Sequence, residues 1–348
     1  MNWMIYGAAG YTGQLIAREA KARGLSPVLA GRSAEKLAPL AGELGFSQRI
    51  FDLTSASAIA NHLEGIGLVL HCAGPFSATS RQMIGACLEK RAHYLDITGE
   101  ISVFEHAREK NEAAARAGIV VCPGVGFDVI PTDCVALTLK NALPDATHLA
   151  LGFDSRAHLS PGTAKTTVEG LALGGKIRED GVIRDVPLAY RTRRIDFGAG
   201  EKLAMTIPWG DVSTAFQTTG IPNIEVYIPG SPRFIAATKR ANYLRWLVRL
   251  GPVQAIMKRR AGRMRGPSAD ERAKLPTYVW GEATNAKGEK KTARIRTENG
   301  YSVTVTGSLY VVDHLLREKP PGASFTPARL LGADLVTKLP GSGPMVVV

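Results

Sequence analysis

Three glycines at a fixed spacing near the start of the chain carry its strongest chemical signal. Gly7, Gly10 and Gly13 directly follow an apolar segment, residues 3–6, and open an amphipathic stretch, residues 14–23. Gly7 permits a tight turn, Gly10 lets backbone amides approach a pyrophosphate, and Gly13 allows the following helix to pack closely on the strand. The strand-turn-helix context therefore predicts a dinucleotide-binding loop. Its predicted contacts are Gly7, Gly10, Tyr11, Thr12 and Gly13.

The end of the second apolar segment indicates which dinucleotide binds. Residues 27–30 lead into Gly31 and Arg32, where an NAD-binding protein usually carries an acidic residue for the ribose hydroxyls. A guanidinium instead binds a 2′-phosphate through two charge-assisted hydrogen bonds, while Ser33 adds a donor and Lys36 lies one turn further on. This pattern favours NADPH. The alternative is a solvated arginine at the start of a helix.

Two later segment ends supply further candidate cofactor contacts. Asp52 follows residues 49–51, where its carboxylate could accept from the adenine amino group, or could equally cap a helix from Thr54 onward. Small residues after residues 68–71 would let the backbone approach the nicotinamide ribose, and we favour this role over that of a simple turn. These residues are Ala73, Gly74 and Pro75, followed by Phe76.

If the nicotinamide cofactor reduces a substrate, a proton donor must also lie near the nicotinamide. Asp128 and Lys165 are the two candidates, although Asp128 could merely cap a helix beginning near Ile130 and Lys165 could be a surface lysine. Phe127 and the Gly162–Thr163 turn are the candidate substrate contacts, the turn through amide donors to a carboxylate or phosphate. If the middle domain covers the strand ends, Phe76, Phe127 and this turn should surround one pocket.

Nothing in the spacing of cysteines and histidines indicates a metal site. The four cysteines lie far apart without a C-x-x-C pair, which is typical of reduced thiols. His71 and His93 lie inside predicted strands and are interpreted as core histidines. Asp96, in a polar group with Tyr94 and Glu100, is interpreted as a link between loops.

The elements that must position these residues alternate regularly over the first third of the chain. Predicted strands cover residues 3–6, 27–30, 49–51, 68–71, 93–97 and 119–122, and helical stretches such as 14–23 and 103–116 lie between them. Connections of this length exclude hairpins and predict a parallel, doubly wound sheet, with ligands at the carboxyl ends of the strands. The fold class is α/β with an N-terminal Rossmann domain.

After Pro131 the pattern changes to longer strands. They are predicted at residues 147–153, 182–195, 223–228, 278–285 and 292–297, the last two flanking a hairpin turn. We therefore expect a second, α+β domain with a mixed or antiparallel sheet over residues 131–301. Residues 1–130 form the NADP-binding domain, rejoined by the C-terminal helices of residues 302–348.

Charge is concentrated in one segment of this 348-residue chain. The net charge is +12, and residues 231–275 contribute +10 of it, so the distribution argues against a general nucleic-acid groove. Residues 233–265 alternate basic and apolar residues, with Ile235, Tyr243, Trp246, Leu247 and Leu250 on one predicted arc. This segment could contact a membrane peripherally, cover the substrate cleft as a lid, or pack its apolar stripe into the core. We expect a cytoplasmic protein, and exposed sheet edges are compatible with a homodimer.

Five motifs in register resemble one family. GAAGYTG, LAGRS, HCAGPF, YLDITGE and PGVGFDVIPTD follow one another over residues 5–133 as in the saccharopine dehydrogenase-like oxidoreductases, including their trans-acting enoyl reductase branch. The resemblance implies an NADP-dependent oxidoreductase that reduces a C=C, C=N or C=O bond of a small-molecule substrate. We expect a C=C bond of an acyl, lipid-like or polyketide-like substrate. The alternatives are imine or ketone reduction and a nonenzymatic NADP-binding sensor.

Overall fold

Strands and helices alternate over the first 122 residues of the computed structural model, which describes residues 1–155, 168, 170, 172–248, 250–261 and 266–348. The strands are β1 (Trp3–Tyr6), β2 (Val28–Gly31), β3 (Gln48–Ile50), β4 (Leu68–His71), β5 (His93–Asp96) and β6 (Val120–Cys122). The helices are α1 (Tyr11–Ala22), α2 (Ala34–Leu44), α3 (Ala56–His62), α4 (Phe76–Lys90), α5 (Ile101–Glu109) and α6 (Asn111–Ala117). The single helix predicted over residues 103–116 is thus two helices, interrupted at Lys110.

All six strands are parallel, in the order β6-β5-β4-β1-β2-β3. The sheet is covered on both faces, so every residue of β1 and β4 is buried. Tyr6 at the end of β1 pairs with Ala30 on one side and with His71 on the other. The strand order reverses beside β1, which creates the crevice where ligands bind in open α/β sheets. The predicted doubly wound Rossmann sheet is confirmed.

A second, mixed sheet follows. Its strands are β7 (Ala146–Asp154), β8 (Gly175–Glu179), β9 (Val182–Val186), β10 (Thr192–Asp196), β11 (Glu201–Thr206), β12 (Asn223–Pro229), β13 (Thr277–Asn285) and β14 (Lys290–Thr297). The helices are α7 (Ile130–Ala142), α8 (Asp211–Thr219), α9 (Pro232–Ala241), α10 (Arg245–Val248), α11 (Gly251–Ala261) and α12 (Ala269–Lys274). β12 and β7 are parallel, whereas β7-β13 and β13-β14 are antiparallel. A Cβ on Gly281 of β13 would meet Val135 and Leu139, so α7 packs directly on this sheet.

Two details of this sheet differ from the sequence prediction. The strand predicted over residues 182–195 is two strands, β9 and β10, because Pro187 follows the first and Ala189 takes a positive φ of 53° between them. β8 and β11 were not predicted. The hairpin between β13 and β14 is confirmed: Asn285 Oδ1 accepts from the amides of Lys287 and Glu289, and Gly288 has a φ of +82°.

The chain then returns to the first sheet. α13 (Gly300–Arg317) precedes β15 (Ala323–Ser324), which pairs in parallel with β6, and α14 (Pro327–Leu331) and β16 (Val346–Val347) follow. Contacts divide the chain into a first unit, Met1–Asp128 with Tyr301–Leu330, and a second unit, Val129–Gly300 with Leu331–Val348. The final segment, which the sequence analysis grouped with the first domain, clusters with the second unit because β16 pairs with β14. None of the described helices is long and apolar enough to cross a membrane.

Candidate functional site

The glycine loop lies between β1 and α1, at the crevice of the first sheet. Gly7 has a φ of +84°, and a Cβ there would lie 2.8 Å from the backbone nitrogen of Ala73. A Cβ on Gly13 would lie 2.4 Å from the carbonyl oxygen of Gly7, whereas one on Gly10 would lie 3.2 Å from it. Two of the three positions therefore exclude any side chain. Their roles are a left-handed turn against the end of β4 and close packing of α1 on the loop.

The first turn of α1 is oriented for an anion. Gly10 is the N-cap in extended backbone and has no side chain to cap the helix, and the first i→i+4 bond is donated by Gln14. Tyr11, Thr12 and Gly13 therefore carry the amides that a helix leaves without an intrahelical acceptor. No acidic residue occupies this turn. The arrangement suits a pyrophosphate, which is the group the spacing predicts.

Arg32 follows β2 and Lys36 lies in the first turn of α2, and both are exposed, as binding a phosphate from solvent requires. Neither residue forms an ion pair within the described part of the chain. Ser33 is the N-cap of α2, and its Oγ accepts from the amide of Lys36 at 3.4 Å. The hydroxyl hydrogen of Ser33 is not used in that bond, so capping and donation to a phosphate are compatible.

The charges of Asp52 and Arg32 both act on the buried hydroxyl of Tyr6. That hydroxyl donates to the carbonyl oxygen of Phe51 at 2.9 Å. Burial, followed by the negative charge of Asp52, raises the pKa of Tyr6 to about 12, and the charge of Arg32 opposes this shift. The helix-cap alternative for Asp52 is wrong, because Ser55 caps α3 and accepts from the amide of Ala58. Asp52 instead accepts from the Thr54 hydroxyl at 3.0 Å.

After β4, two backbone carbonyl groups lie close to the hydroxyl of Thr79. Thr79 Oγ1 lies 2.9 Å from the carbonyl oxygen of Ala73 and 3.1 Å from that of Pro75. His71 Nε2 lies 2.9 Å from the same hydroxyl, and burial lowers the pKa of His71 to about 3, so its ring is neutral. This agrees with the interpretation of His71 as a core histidine. Phe76 begins α4 and is buried.

Sequence reasoning did not identify the residue that caps α4. The carboxylate of Glu100 accepts from the amide of Phe76 at 2.8 Å and from that of Ser77 at 2.7 Å. This helix end is therefore already neutralised by a side chain, unlike that of α1. The N-termini of α1 and α4 thus differ, since no side chain caps α1 at Gly10.

Asp96 links two loops, as interpreted. It is fully buried, and its Oδ1 accepts from the amides of Thr98 at 3.0 Å and Gly124 at 2.8 Å, while Oδ2 accepts from the Tyr94 hydroxyl at 2.6 Å. Burial raises the pKa of Asp96 to about 6 against the opposing effect of these hydrogen bonds. The carboxylate fixes the loops after β5 and β6, and three donors already occupy it.

Asp128 lies in the turn after β6 and contacts the loop after β5. A Cβ on Gly99 would lie 2.9 Å from Asp128 Oδ2, so the missing side chain makes room for this carboxyl. Burial raises the pKa of Asp128 to about 7. Val129 is the N-cap of α7, and no side chain makes the capping hydrogen bond there, which argues against Asp128 as a mere helix cap.

Thr304 holds the same turn and was also missed by sequence reasoning. The amide of Phe127 donates to Thr304 Oγ1 at 3.0 Å, and a Cβ on Gly126 would lie 2.9 Å from Thr304 Cγ2. α13 therefore fixes the backbone that carries Phe127 and Asp128. The other candidate residues, Lys165, Gly162 and Thr163, lie outside the described residues, so the pocket predicted around Phe76, Phe127 and this turn stays a prediction.

A cavity of about 510 Å³ lies on the sheet of the second unit. Glu225 and Glu282 flank Ala150 in cross-strand register. Arg193 donates to both carboxylate oxygens of Glu282 at 3.0 and 3.1 Å, and Tyr227 donates to Glu225 at 2.5 Å. Internal pairs thus satisfy these charges. The described residues hold no group of three or more His, Cys, Asp or Glu suited to a metal.

Comparison with known proteins agrees with the geometry of the first unit. Residues 3–122, which contain the first four of the five motifs, match the family model described as Saccharopine dehydrogenase NADP binding domain, and this match confirms the resemblance. A saccharopine dehydrogenase-like oxidoreductase from Bos taurus is 30% identical over 162 residues, 40% of this chain and 37% of the relative. A trans-acting enoyl reductase from Mycobacterium leprae is 30% identical over 141 residues, 37% of this chain and 33% of the relative. The matches thus span well under half of these relatives.

The fold as a whole also has a counterpart among solved structures. Apo saccharopine dehydrogenase (L-Glu forming) from Saccharomyces cerevisiae superposes with a TM-score of 0.66 over 100% of this chain and 99% of that one, at 13% identity. At this identity the likeness concerns the fold alone. It confirms an α/β architecture with a parallel dinucleotide-type sheet and a second mixed sheet.

Proposed function

From the NADP-binding domain at residues 3–122 we propose that the chain is an NADPH-dependent oxidoreductase. The observation that carries the proposal is the glycine loop, where Gly7 and Gly13 leave no space for a Cβ and the first turn of α1 is uncapped. Arg32 stands exposed at the end of β2, where an acidic residue would select NAD. These features fit a dinucleotide that carries a 2′-phosphate.

Each end of the dinucleotide has its own proposed contacts. Tyr11, Thr12 and Gly13 would hold the pyrophosphate, and Arg32 with Ser33 and Lys36 the 2′-phosphate. Asp52 would accept from the adenine amino group. The backbone of residues 73–75, with Phe76, would border the nicotinamide ribose. Bound NADPH supplies the hydride, and the protein must orient it, exclude water and deliver a proton.

Asp128 is the proposed proton donor. Because its pKa is raised to about 7, the carboxyl of Asp128 is protonated below about pH 7. A general acid must be protonated to donate a proton during reduction. Its position in a turn held by Gly99 and Thr304 limits its movement. Lys165 remains the second proposed donor, and the Gly162–Thr163 turn the proposed contact for an acidic substrate group.

We propose a C=C bond of an acyl or lipid-like compound as the bond reduced. The trans-acting enoyl reductase from Mycobacterium leprae supports this choice, since it matches over 37% of the chain. Reduction of a C=N or C=O bond is the alternative. The proposed cofactor contacts are the same for either bond type, because the substrate side of the cleft determines which bond is reduced.

The test is NADPH consumption with three substrate classes: an α,β-unsaturated acyl thioester, an imine formed from an amine and an aldehyde, and a ketone. We expect oxidation of NADPH with the acyl thioester and formation of the saturated product. Turnover with only the imine or ketone would overturn the acyl assignment while leaving the oxidoreductase in place. Binding of NADPH at about micromolar Kd without turnover of any class would instead indicate a sensor.

A further inference from the structure

The second unit exposes a concentration of large apolar side chains between Pro232 and Ala261, which we name the basic aromatic surface. Fourteen large hydrophobic residues are exposed among the described residues, and six of them fall in this segment of α9, the 3-10 turn Asn242–Leu244, α10 and α11. They are Phe234, Tyr243, Leu244, Trp246, Leu250 and Ile256. Tyr243 is 82% exposed and Trp246 63%. Such a concentration of exposed apolar side chains in one segment favours a role in binding a partner.

These side chains are not core residues of the second unit, because other residues of the segment fill that role. Ile235 is 5% exposed and packs with Ala189 and Met205. Asn242 accepts from the amide of Leu188 at 2.8 Å and donates to its carbonyl oxygen at 3.1 Å. Arg245 donates to the carbonyl oxygen of Leu173 at 2.9 Å. The segment is thus attached by one set of residues and presents another to solvent.

The predicted single apolar arc is therefore wrong. Ile235 lies on α9 and is buried, whereas Tyr243 in the 3-10 turn and Trp246 in α10 are exposed. Leu250 directly precedes Gly251, at which α11 begins. Because Tyr243 and Trp246 are three residues apart in a helical stretch, they share one face. Their exposure contradicts the interpretation of this stripe as core.

Charge on the same segment is of one sign. Ten lysines and arginines and no Asp or Glu lie between Glu225 and Asp270. Five of these cations are exposed and form no ion pair in the described part of the chain. They are Arg233, Lys239, Arg240, Arg259 and Arg260. An anionic partner would satisfy them at little cost, because no internal pair has to be broken.

We propose that the basic aromatic surface binds the surface of an anionic lipid membrane. Tyr243 and Trp246 have the amphipathic rings that locate at the boundary between headgroups and acyl chains, and the basic side chains contact lipid phosphates. Leu244, Leu250 and Ile256 favour a membrane over a nucleic acid, since aliphatic side chains enter the acyl region but add nothing to phosphate contacts or base stacking. The partner is thus a lipid surface that supplies negative charge and an apolar interior together.

Cosedimentation with vesicles tests the charge contribution. Vesicles of phosphatidylcholine and phosphatidylglycerol in a roughly two-to-one ratio should bind the full chain at low salt and release it at high salt, and vesicles of phosphatidylcholine alone should not bind. The variant Arg233→Gln/Lys239→Gln/Arg240→Gln should bind at least ~10-fold more weakly. The matched control is Lys287→Gln/Lys291→Gln/Arg296→Gln. It removes three exposed cations, one from the turn between β13 and β14 and two from β14, and should bind like the parent.

Fluorescence tests the insertion. Of the four tryptophans, Trp3 and Trp280 are buried and Trp209 is partly buried, so Trp246 is the one that reports on this surface. Anionic vesicles should shift its emission to the blue, and Trp246→Phe should abolish that shift. Tyr243→Ser/Trp246→Ser should weaken binding even at low salt, whereas Val182→Ser, an exposed apolar control on β9, should not.

Three results would overturn the proposal. They are no vesicle binding at low salt, equal loss in the hairpin control, and unchanged tryptophan emission in the bound state. Binding to duplex DNA that depends on the three cations but not on Tyr243 and Trp246, without vesicle binding, would assign the surface to nucleic acid instead. Circular dichroism and NADPH binding of each variant check that it is folded, and neither depends on these exposed side chains.

Discussion

Arg32 is the residue that should decide between NADPH and NADH. It is exposed and free of ion pairs among the described residues, so its guanidinium is available to a 2′-phosphate. Loss of a bidentate charged contact should weaken NADPH binding by about 10- to 100-fold in Arg32→Ala. NADH, which lacks that phosphate, should bind almost unchanged. Equal weakening of both nucleotides in a fluorescence titration would remove this assignment, and Arg23→Ala, on the far end of α1, is the control.

Asp128 should give the reaction its upper pH limit. Because its pKa is raised to about 7, kcat for reduction should fall as pH rises through about 7, when the carboxyl loses its proton. Asp128→Asn should lower kcat by about 100-fold or more and remove that limb of the profile, with NADPH affinity unchanged. An unchanged profile in the variant would exclude Asp128 as the donor.

The raised pKa of Asp128 also makes the stability of the protein depend on pH. Burial raises the folded-state pKa of Asp128 above its ordinary 3.8, so the stability that its protonated form contributes is present below that value and is lost as pH rises through about 7. Asn has no such titration. The free energy of unfolding of Asp128→Asn, measured against the parent by urea denaturation, should therefore increase between about pH 4 and pH 7. A difference that is independent of pH would contradict the raised pKa.

At the scale of elements, the contact between α1 and its loop depends on Gly13. A Cβ there would lie 2.4 Å from the Gly7 carbonyl oxygen, so Gly13→Ala should destabilise the protein by about 1–3 kcal/mol and weaken NADPH binding. Gly42→Ala is the matched control in α2. It meets nothing within 4 Å and should stabilise by about 0.5–1 kcal/mol. Thermal unfolding compares the two, and a tolerated Gly13→Ala would contradict the packing.

The elements also show what the sequence can predict. The loop of Gly7, Gly10 and Gly13 was predictable because the turn, the strand before it and the helix after it are consecutive in the chain. The caps were not. Glu100 accepts from amides 23 and 24 residues away, and nothing local distinguishes it from a solvated glutamate. Ser55, not Asp52, caps α3. Both are residue types that cap helices, and packing decides which of the two neighbours does so.

At the scale of the whole molecule, the chain leaves the first unit and returns to complete it. Phe127 donates to Thr304, 177 residues later, a pairing that no sequence spacing indicates. Thr304→Val keeps the shape but leaves this part-buried amide without its acceptor. We expect a loss of about 1–3 kcal/mol in stability and a lower kcat, with NADPH affinity retained. Thr306→Val, which loses only bonds within α13, is the control. Equal effects in both would assign the result to the helix rather than to the turn.

A crystal structure of the NADPH complex is the decisive test of the proposed cofactor site. We expect the pyrophosphate at the amides of Tyr11, Thr12 and Gly13 and the 2′-phosphate on Arg32. We expect the nicotinamide ribose at residues 73–76, with the ring on the side of Asp128. NADPH bound elsewhere, or bound in this crevice with its 2′-phosphate away from Arg32, would show that the proposed cofactor site is wrong.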